Sequence, residues 1–159
     1  MFAIEDQTIS ALHQPDPHIR PYRPEDAPRV AQIWQDSWNA TGLGEGSLSD
    51  YQQRLASQGV AWSIHVAIME GAIEGFLAFQ RPDWVRQLFV SPSHQGRGLG
   101  KALLRLAKLE MPDGFWLRTD AANVTARHFY EGAGLALRDL GVHPVHGQQV
   151  ATYIWPCPD

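Results

Sequence analysis

Apolar positions along this chain switch between two periods. Ala27, Val30, Ala31, Trp34 and Trp38 recur at helical spacing, and the acids and prolines of residues 24–28 mark where that helix begins. A glycine-rich loop, residues 41–46, follows. Ser47 then stands at capping-box spacing from Asp50, and Leu48, Tyr51 and Leu55 predict a short second helix ending near Gly59. Period two takes over next: Trp62, Ile64, Val66 and Ile68 face one way, and Ser63, His65, Ala67 and Met69 the other. Glu70-Gly71 is a turn, and residues 72–79 return as the second arm of a hairpin. Upstream, residues 18–23 read as an edge strand, because Pro21 disfavours a central one. Residues 1–17 show no period and end in a Gln-Pro-Asp-Pro linker signal, so they read as an N-terminal extension.

The stretch from Trp84 to Glu110 predicts a strand, a glycine-rich turn and a helix. Val85, Leu88, Phe89 and Val90 supply a buried strand, which Pro92 stops. After Gln95-Gly96-Arg97-Gly98-Leu99-Gly100 come Ala102, Leu103 and Leu106 at helical period, with Lys101, Arg105 and Lys108 on another face. The helix ends at Met111, before Pro112. A helix N-terminus offers unpaired N–H donors and the positive end of a dipole, and glycine lets an anion approach without a Cβ in the way. Phosphate binding and a merely tight connection both fit this turn. A P-loop does not, since Gln95 stands where its first glycine belongs and Ala102 where its hydroxyl belongs. The G-x-G-x-G spacing of Gly96, Gly98 and Gly100 also departs from the dinucleotide fingerprint.

Further on, residues 115–119 form a short apolar strand. Asn123 opens a helix carrying Ala126, Phe129, Tyr130 and Ala133 on one face and closed by Gly132 and Gly134. Strands at 135–138 and 150–155 complete the order β-α-α-β-β-β-α-β-α-β-β. Two motifs now stand together: Q-x-x-G-x-G after a strand, and Asn123-x-x-Ala126-x-x-Phe129-Tyr130-x-x-x-Gly134-Leu135. Together they resemble the GCN5-related N-acetyltransferase (GNAT) family. The resemblance implies an α/β (α+β) fold with a central mixed, mostly antiparallel sheet flanked by helices, one N-acetyltransferase domain over residues 18–159, and acetyl-coenzyme A as co-substrate.

It also implies roles. Backbone groups of Leu88, Phe89 and Val90 pair with the pantetheine arm. Amides of Gln95, Gly96, Arg97, Gly98, Leu99 and Gly100, with Lys101 beside them, hold the pyrophosphate. Asn123 helps hold pantetheine, with Ala126 and Phe129 packing near it, and Tyr130 serves as general acid for the departing thiolate. Asn123 equally reads as a helix N-cap, and Phe129 and Tyr130 as core. Some protein-acetylating relatives carry a glutamate base on the strand before that helix. Arg118 stands there instead, which leaves Glu74, His65, Asp120 or a water chain as alternatives.

Composition narrows the setting. With 159 residues, 44% hydrophobic and 19% charged, the chain supports one packed domain. One cysteine, no apolar run of membrane length and no basic leader point to the cytoplasm and away from a membrane. The net charge of −4 argues against a nucleic-acid partner. Residues 81–127 hold eight Arg/Lys against four acids, which leaves the rest of the chain with eight net negative charges. That balance favours a cationic acceptor by steering. His143 and His146 lack an acidic or Cys partner, so no metal is expected. The reading is acetyl transfer to a small-molecule amine by direct attack in a ternary complex, with Trp34, Trp38, Trp62 and the loop at 42–46 as candidates for the acceptor wall, Trp34 and Trp38 reading also as helix core. The alternatives are a protein N-terminal or lysine acetyltransferase and a non-catalytic acetyl-coenzyme A-binding module. The acceptor's identity and a homodimeric state stay open.

Overall fold

The computed structural model describes residues 17–158, so the expected N-terminal extension, Pro17 apart, lies outside the described residues. The elements are β1 (His18–Pro21), α1 (Ala27–Ala40), α2 (Leu48–Ser57), β2 (Ser63–Met69), β3 (Ala72–Gln80), β4 (Trp84–Val90), α3 (Leu99–Glu110), β5 (Phe115–Asp120), α4 (Val124–Gly132), β6 (Ala136–Val142) and β7 (Gln149–Trp155). They follow the expected order. The seven strands form one mixed sheet, β1-β2-β3-β4-β5-β7-β6, antiparallel throughout except between β4 and β5.

Each face of the sheet is covered, and alternation along β3 divides the core in two. Phe76 and Ala78 pack under Val30, Ala31, Ile33 and Trp34 of α1, with Tyr51 and Leu55 of α2. Leu77 and Phe79 pack under Leu99, Leu103, Leu104 and Ala107 of α3. The caps behave as their sequences predict: Ser47 Oγ accepts from Asp50 N–H at 3.2 Å, and Asn123 Oδ1 accepts from Ala126 N–H at 3.1 Å. Glu70 (φ 55) and Gly71 (φ 83) make the two-residue hairpin turn between β2 and β3.

The alternation expected along β2 holds: Ile64 and Val66 pack on the α1 side and Ala67 and Met69 on the α3 side, while the pairing with β3 shifts register between Ala67 and Ile68. One expectation changes. In β4 only Val85 is buried, not the whole strand. The cause is the sheet itself. β4 meets β5 at one register position, Trp84 opposite Trp116, and the strands then part. A bulge adds to this: Ala78 pairs with Gln87 but Phe79 with Val85, leaving Arg86 as an extra residue. It resets the alternation, so Val85 and Leu88, three apart, share the α3 face, while Phe89 joins the α1 face.

One polar node anchors the far end of β4. Glu74 is buried, and its Oε2 accepts from Arg29 Nη2 at 2.9 Å and from Ser91 Oγ at 2.6 Å, with His94 Nδ1 at 3.3 Å. Ser37 Oγ of α1 donates to Val90 O at 2.8 Å. These bonds fix where the chain leaves the sheet and enters the glycine turn. Replacing Glu74 by Ala strands the Ser91 hydroxyl and the Arg29 guanidinium, which is expected to cost about 1–3 kcal/mol. A lowered urea midpoint at unchanged slope is the measurement, with partial recovery in Glu74→Gln.

Candidate active site

The parting of β4 and β5 opens a cleft of ≈ 920 Å³. That is the upper end of the range for small-ligand sites, ~300–1,000 Å³, and leaves room for more than one reactant. Leu88, Phe89 and Val90 form one wall and Leu117 to Asp120 the other. Beyond Trp84 the edge of β4 that faces β5 has no ladder partner, so its N–H and C=O groups are available to a bound extended molecule.

At the end of β4 the chain enters the glycine turn. Gly96 (φ 78) and Gly98 (φ 90) occupy the left-handed region, where a Cβ is strained, and the space a Cβ would take at each is open. Gly98 is the N-cap of α3. Gly100 is needed for another reason: a Cβ there would lie 3.2 Å from Phe129 Cζ. Among the described residues, no N–H of residues 95–101 finds a protein acceptor. This row of unpaired amides, with exposed Lys101 beside it, suits a pyrophosphate. The Arg97 side chain turns outward to Glu70, 3.5 Å away, and Leu99 is sunk in the core, so these two residues present only their backbone to the turn. Gln95 Nε2 donates to Val90 O at 3.2 Å.

From the opposite wall α4 contributes Asn123, Ala126, Phe129 and Tyr130, all lining the cleft. Asn123 does so while capping its helix, so the two readings of this residue coexist. Phe129 and Tyr130 are in contact, centroids 5.3 Å apart, and Tyr130 leans on Tyr153 at 5.9 Å. Tyr130 is buried, and its hydroxyl has no hydrogen-bond partner among the described residues. Burial pushes its pKa well above the usual phenol range, so it carries its proton at any working pH.

The opposite end of the cleft holds residues that sequence reasoning passed over. Trp84, Arg86 and Arg54 line it with Arg118, Trp38 and Leu43. Trp34 is helix core, as its alternative reading had it, and Trp62, a wall candidate, is buried core as well, because α1 and the entry to β2 turn them inward. A signal was present: Arg54 lies three residues after Tyr51 and next to Leu55, on the inward side of its helix.

Residues 61–134 match the family model for the acetyltransferase (GNAT) domain. No curated protein matches the chain. Among solved structures the chain is similar to a GCN5-related N-acetyltransferase from Rhodopseudomonas palustris, with TM-score 0.72 and 21% identity over 89% of this chain and 98% of that one. It is also similar to the PaiA N-acetyltransferase from Thermoplasma acidophilum, solved in complex with coenzyme A, with TM-score 0.69 and 18% identity over 87% and 98%. A third is the ribosomal-protein-S18-alanine N-acetyltransferase from Escherichia coli, with TM-score 0.68 and 21% identity over 87% and 92%.

Of the three titratable side chains considered as a base, only Asp120 lines the cleft, and its Oδ1 accepts from Ala122 N–H at 2.9 Å. Glu74 is held in its node. His65 stacks on Phe79 on the α3 side, centroids 5.9 Å apart, with Nδ1 buried and unpartnered. Burial lowers its pKa, against a smaller upward pull from Glu110. A lowered folded value means that the unfolded chain binds more protons as the pH falls below about 6.5. Native stability is therefore lost on acidification and regained as the pH rises through that value. His65→Phe keeps the stack and deletes the orphaned nitrogen. Melting temperatures from pH 5 to 7 are expected to vary less in the variant than in the parent, and an unchanged slope would show that His65 is not the group responsible.

Proposed function

We propose that this chain, whose residues 61–134 match the GNAT acetyltransferase domain model and whose fold is shared with GNAT structures, moves acetyl from acetyl-coenzyme A to the amine of a small molecule, by direct attack with both reactants bound in one cleft. The observation that carries this reading is continuity: unpaired amides, unpaired strand edge, buried phenol and an aromatic-lined recess all border the same space. We take residues 18–159 as the catalytic domain and the cytoplasm as its compartment, which suits the exposed free thiol of Cys157.

Acetyl-coenzyme A supplies an acetyl group activated as a thioester; the protein supplies placement and protons. The amides of residues 95–101 and Lys101 hold the pyrophosphate, and the β4 edge from Leu88 to Val90 takes the pantetheine as an added strand. An N–H on that edge would donate to the charge that develops on the acetyl oxygen as the amine attacks. As the C–N bond forms and the C–S bond breaks, the Tyr130 hydroxyl gives its proton to sulfur. The amine's surplus proton leaves through water or Asp120, and the phenol is reprotonated from the same pool. Small acceptors are favoured because Leu43 of the loop at 41–46 and His143 and Gln148 of the β6–β7 loop border the same cleft.

Two variants test this. Gly98→Val places a branched side chain at φ 90 and in the space open beside the amides. The affinity for acetyl-coenzyme A in a calorimetric titration is expected to fall by at least about tenfold, the equivalent of ~1.4 kcal/mol. Unchanged affinity in a folded variant removes the turn from the site. Tyr130→Phe keeps the ring and removes the hydroxyl, so kcat is expected to fall ~10²–10⁴-fold with little change in cofactor affinity. A lower melting temperature with kcat intact would return Tyr130 to a purely structural role.

A further inference from the structure

The acceptor end of the cleft is built from arginines laid on tryptophans. Arg86, the bulged residue of β4, sits 3.7 Å above the Trp84 ring and 5.2 Å from Trp62. Trp84 stacks on Trp116 at 4.6 Å and 20°, and Arg118 lies 4.9 Å over Trp116. Across the recess, Arg54 of α2 is held 4.6 Å over Trp34. Aromatic faces fix the planes of these guanidinium groups and leave their N–H edges free.

None of these three has a counter-ion among the described residues. Arg20, Arg29, Arg81 and Arg97 each pair with a carboxylate. Arg86 reaches only the amide oxygen of Gln80, at 3.3 Å, and the Arg54 guanidinium has no hydrogen-bond partner among the described residues. Both are half-buried. Burial lowers the pKa of each, and the Arg54 charge lowers that of Arg86 further. Like charges held close and partly desolvated without an anion are costly, and an anion placed between them removes the cost. Against Arg54, Arg86, Arg118 and Lys101, the one acid lining the cleft is Asp120. The cationic acceptor expected from the overall charge sum therefore does not fit: charges beyond ~8–10 Å are screened, and those facing the recess are positive.

We propose that the acceptor is an amine bearing a carboxylate, an amino-acid-like molecule, whose carboxylate is gripped by Arg54 and Arg86 while its amine points toward Tyr130. This rests on the acetyl-transfer reading above. The Arg fork favours a planar carboxylate that it can engage with two parallel hydrogen bonds. A phosphonate shares the charge but not the planarity.

The test is acetylation by the full chain of the common L-amino acids. Each is compared with its amide, its decarboxylated amine and its aminophosphonate, with coenzyme A release as readout. The best acid is expected to exceed its amide and its decarboxylated amine in kcat/KM by about ten- to a hundredfold, the worth of a charge-assisted hydrogen bond. That ratio should collapse toward one in Arg86→Gln and in Arg54→Gln, each checked for an unchanged melting temperature. Amides or decarboxylated amines that match their acids would overturn the inference and leave acetyl transfer standing. A preferred phosphonate would overturn the choice of carboxylate. If acetyl-coenzyme A binds and no amine is acetylated, the transfer reading fails, and calorimetric titration of the coenzyme A-loaded protein with the same amino acids decides the anion site. Binding that Arg54→Gln abolishes sustains it; no binding, or binding indifferent to the substitution, overturns it.

Discussion

The structure turns on the incomplete pairing of two parallel strands. β4 and β5 touch at Trp84 opposite Trp116 and nowhere further along. An unpaired strand edge inside a sheet is ordinarily unfavourable, because buried N–H and C=O groups need partners. Here it is tolerated because the edge borders an open cleft that solvent can reach and because strong packing flanks it. α3 closes one side of β4, α1 and α2 the other, and β5 is held along its outer edge by six register pairs with β7. The Trp84–Trp116 stack then closes the point of the wedge. The exposed backbone edge is thus a consequence of how the flanking layers are secured, and the ability to accept an added strand follows from it.

Much of this was legible in the chain. The eleven-element order, the glycine turn and the Asn123 cap rest on local rules, and local rules survive folding. The strand-to-helix junction was legible because Pro92, Gly96, Gly98 and Gly100 act within a few residues of each other. What the sequence could not show is non-local. Nothing in Trp84–Val90 announces that its neighbour in the sheet will diverge, so a strand with four apolar residues reads as buried. The bulge at Arg86 is equally silent, since it depends on pairing with β3. Trp34 and Trp38 read both as wall and as helix core, Trp62 as wall, and only tertiary packing sorts the buried Trp34 and Trp62 from the lining Trp38. His65 read as a candidate base because it is titratable; its stacking on Phe79, away from the cleft, is a tertiary fact.

Charge shows the same division. The sum over the sequence describes a mildly acidic protein with a basic middle, and both statements are true of the folded chain. They do not describe the recess, because a half-buried guanidinium 3.7 Å over an indole counts for more at the site than several carboxylates on remote faces. Arg118 illustrates the point. Read along the chain it is the absence of an acidic base; in the fold it stands over Trp116 on the lining of the cleft. A substitution that removes one chemistry from the strand extends another.

The bulge ties these strands of argument together. Without an extra residue in β4, strict alternation would put Val85 on the face opposite Leu88 and Val90, and the α3 side could not keep all three. With it, Val85, Leu88 and Val90 all pack toward α3, which sets where that helix begins and hence where the glycine turn offers its amides. The same insertion frees Arg86 to turn toward Trp84 and Trp62 at the other end of the strand. One strand therefore carries the geometry of both halves of the cleft. From Arg86 to Val90 it spans four residue steps, roughly 13 Å at ~3.3 Å per residue. Two reactants held at the ends of that span meet over its middle, against the wall from which Tyr130 faces the cleft.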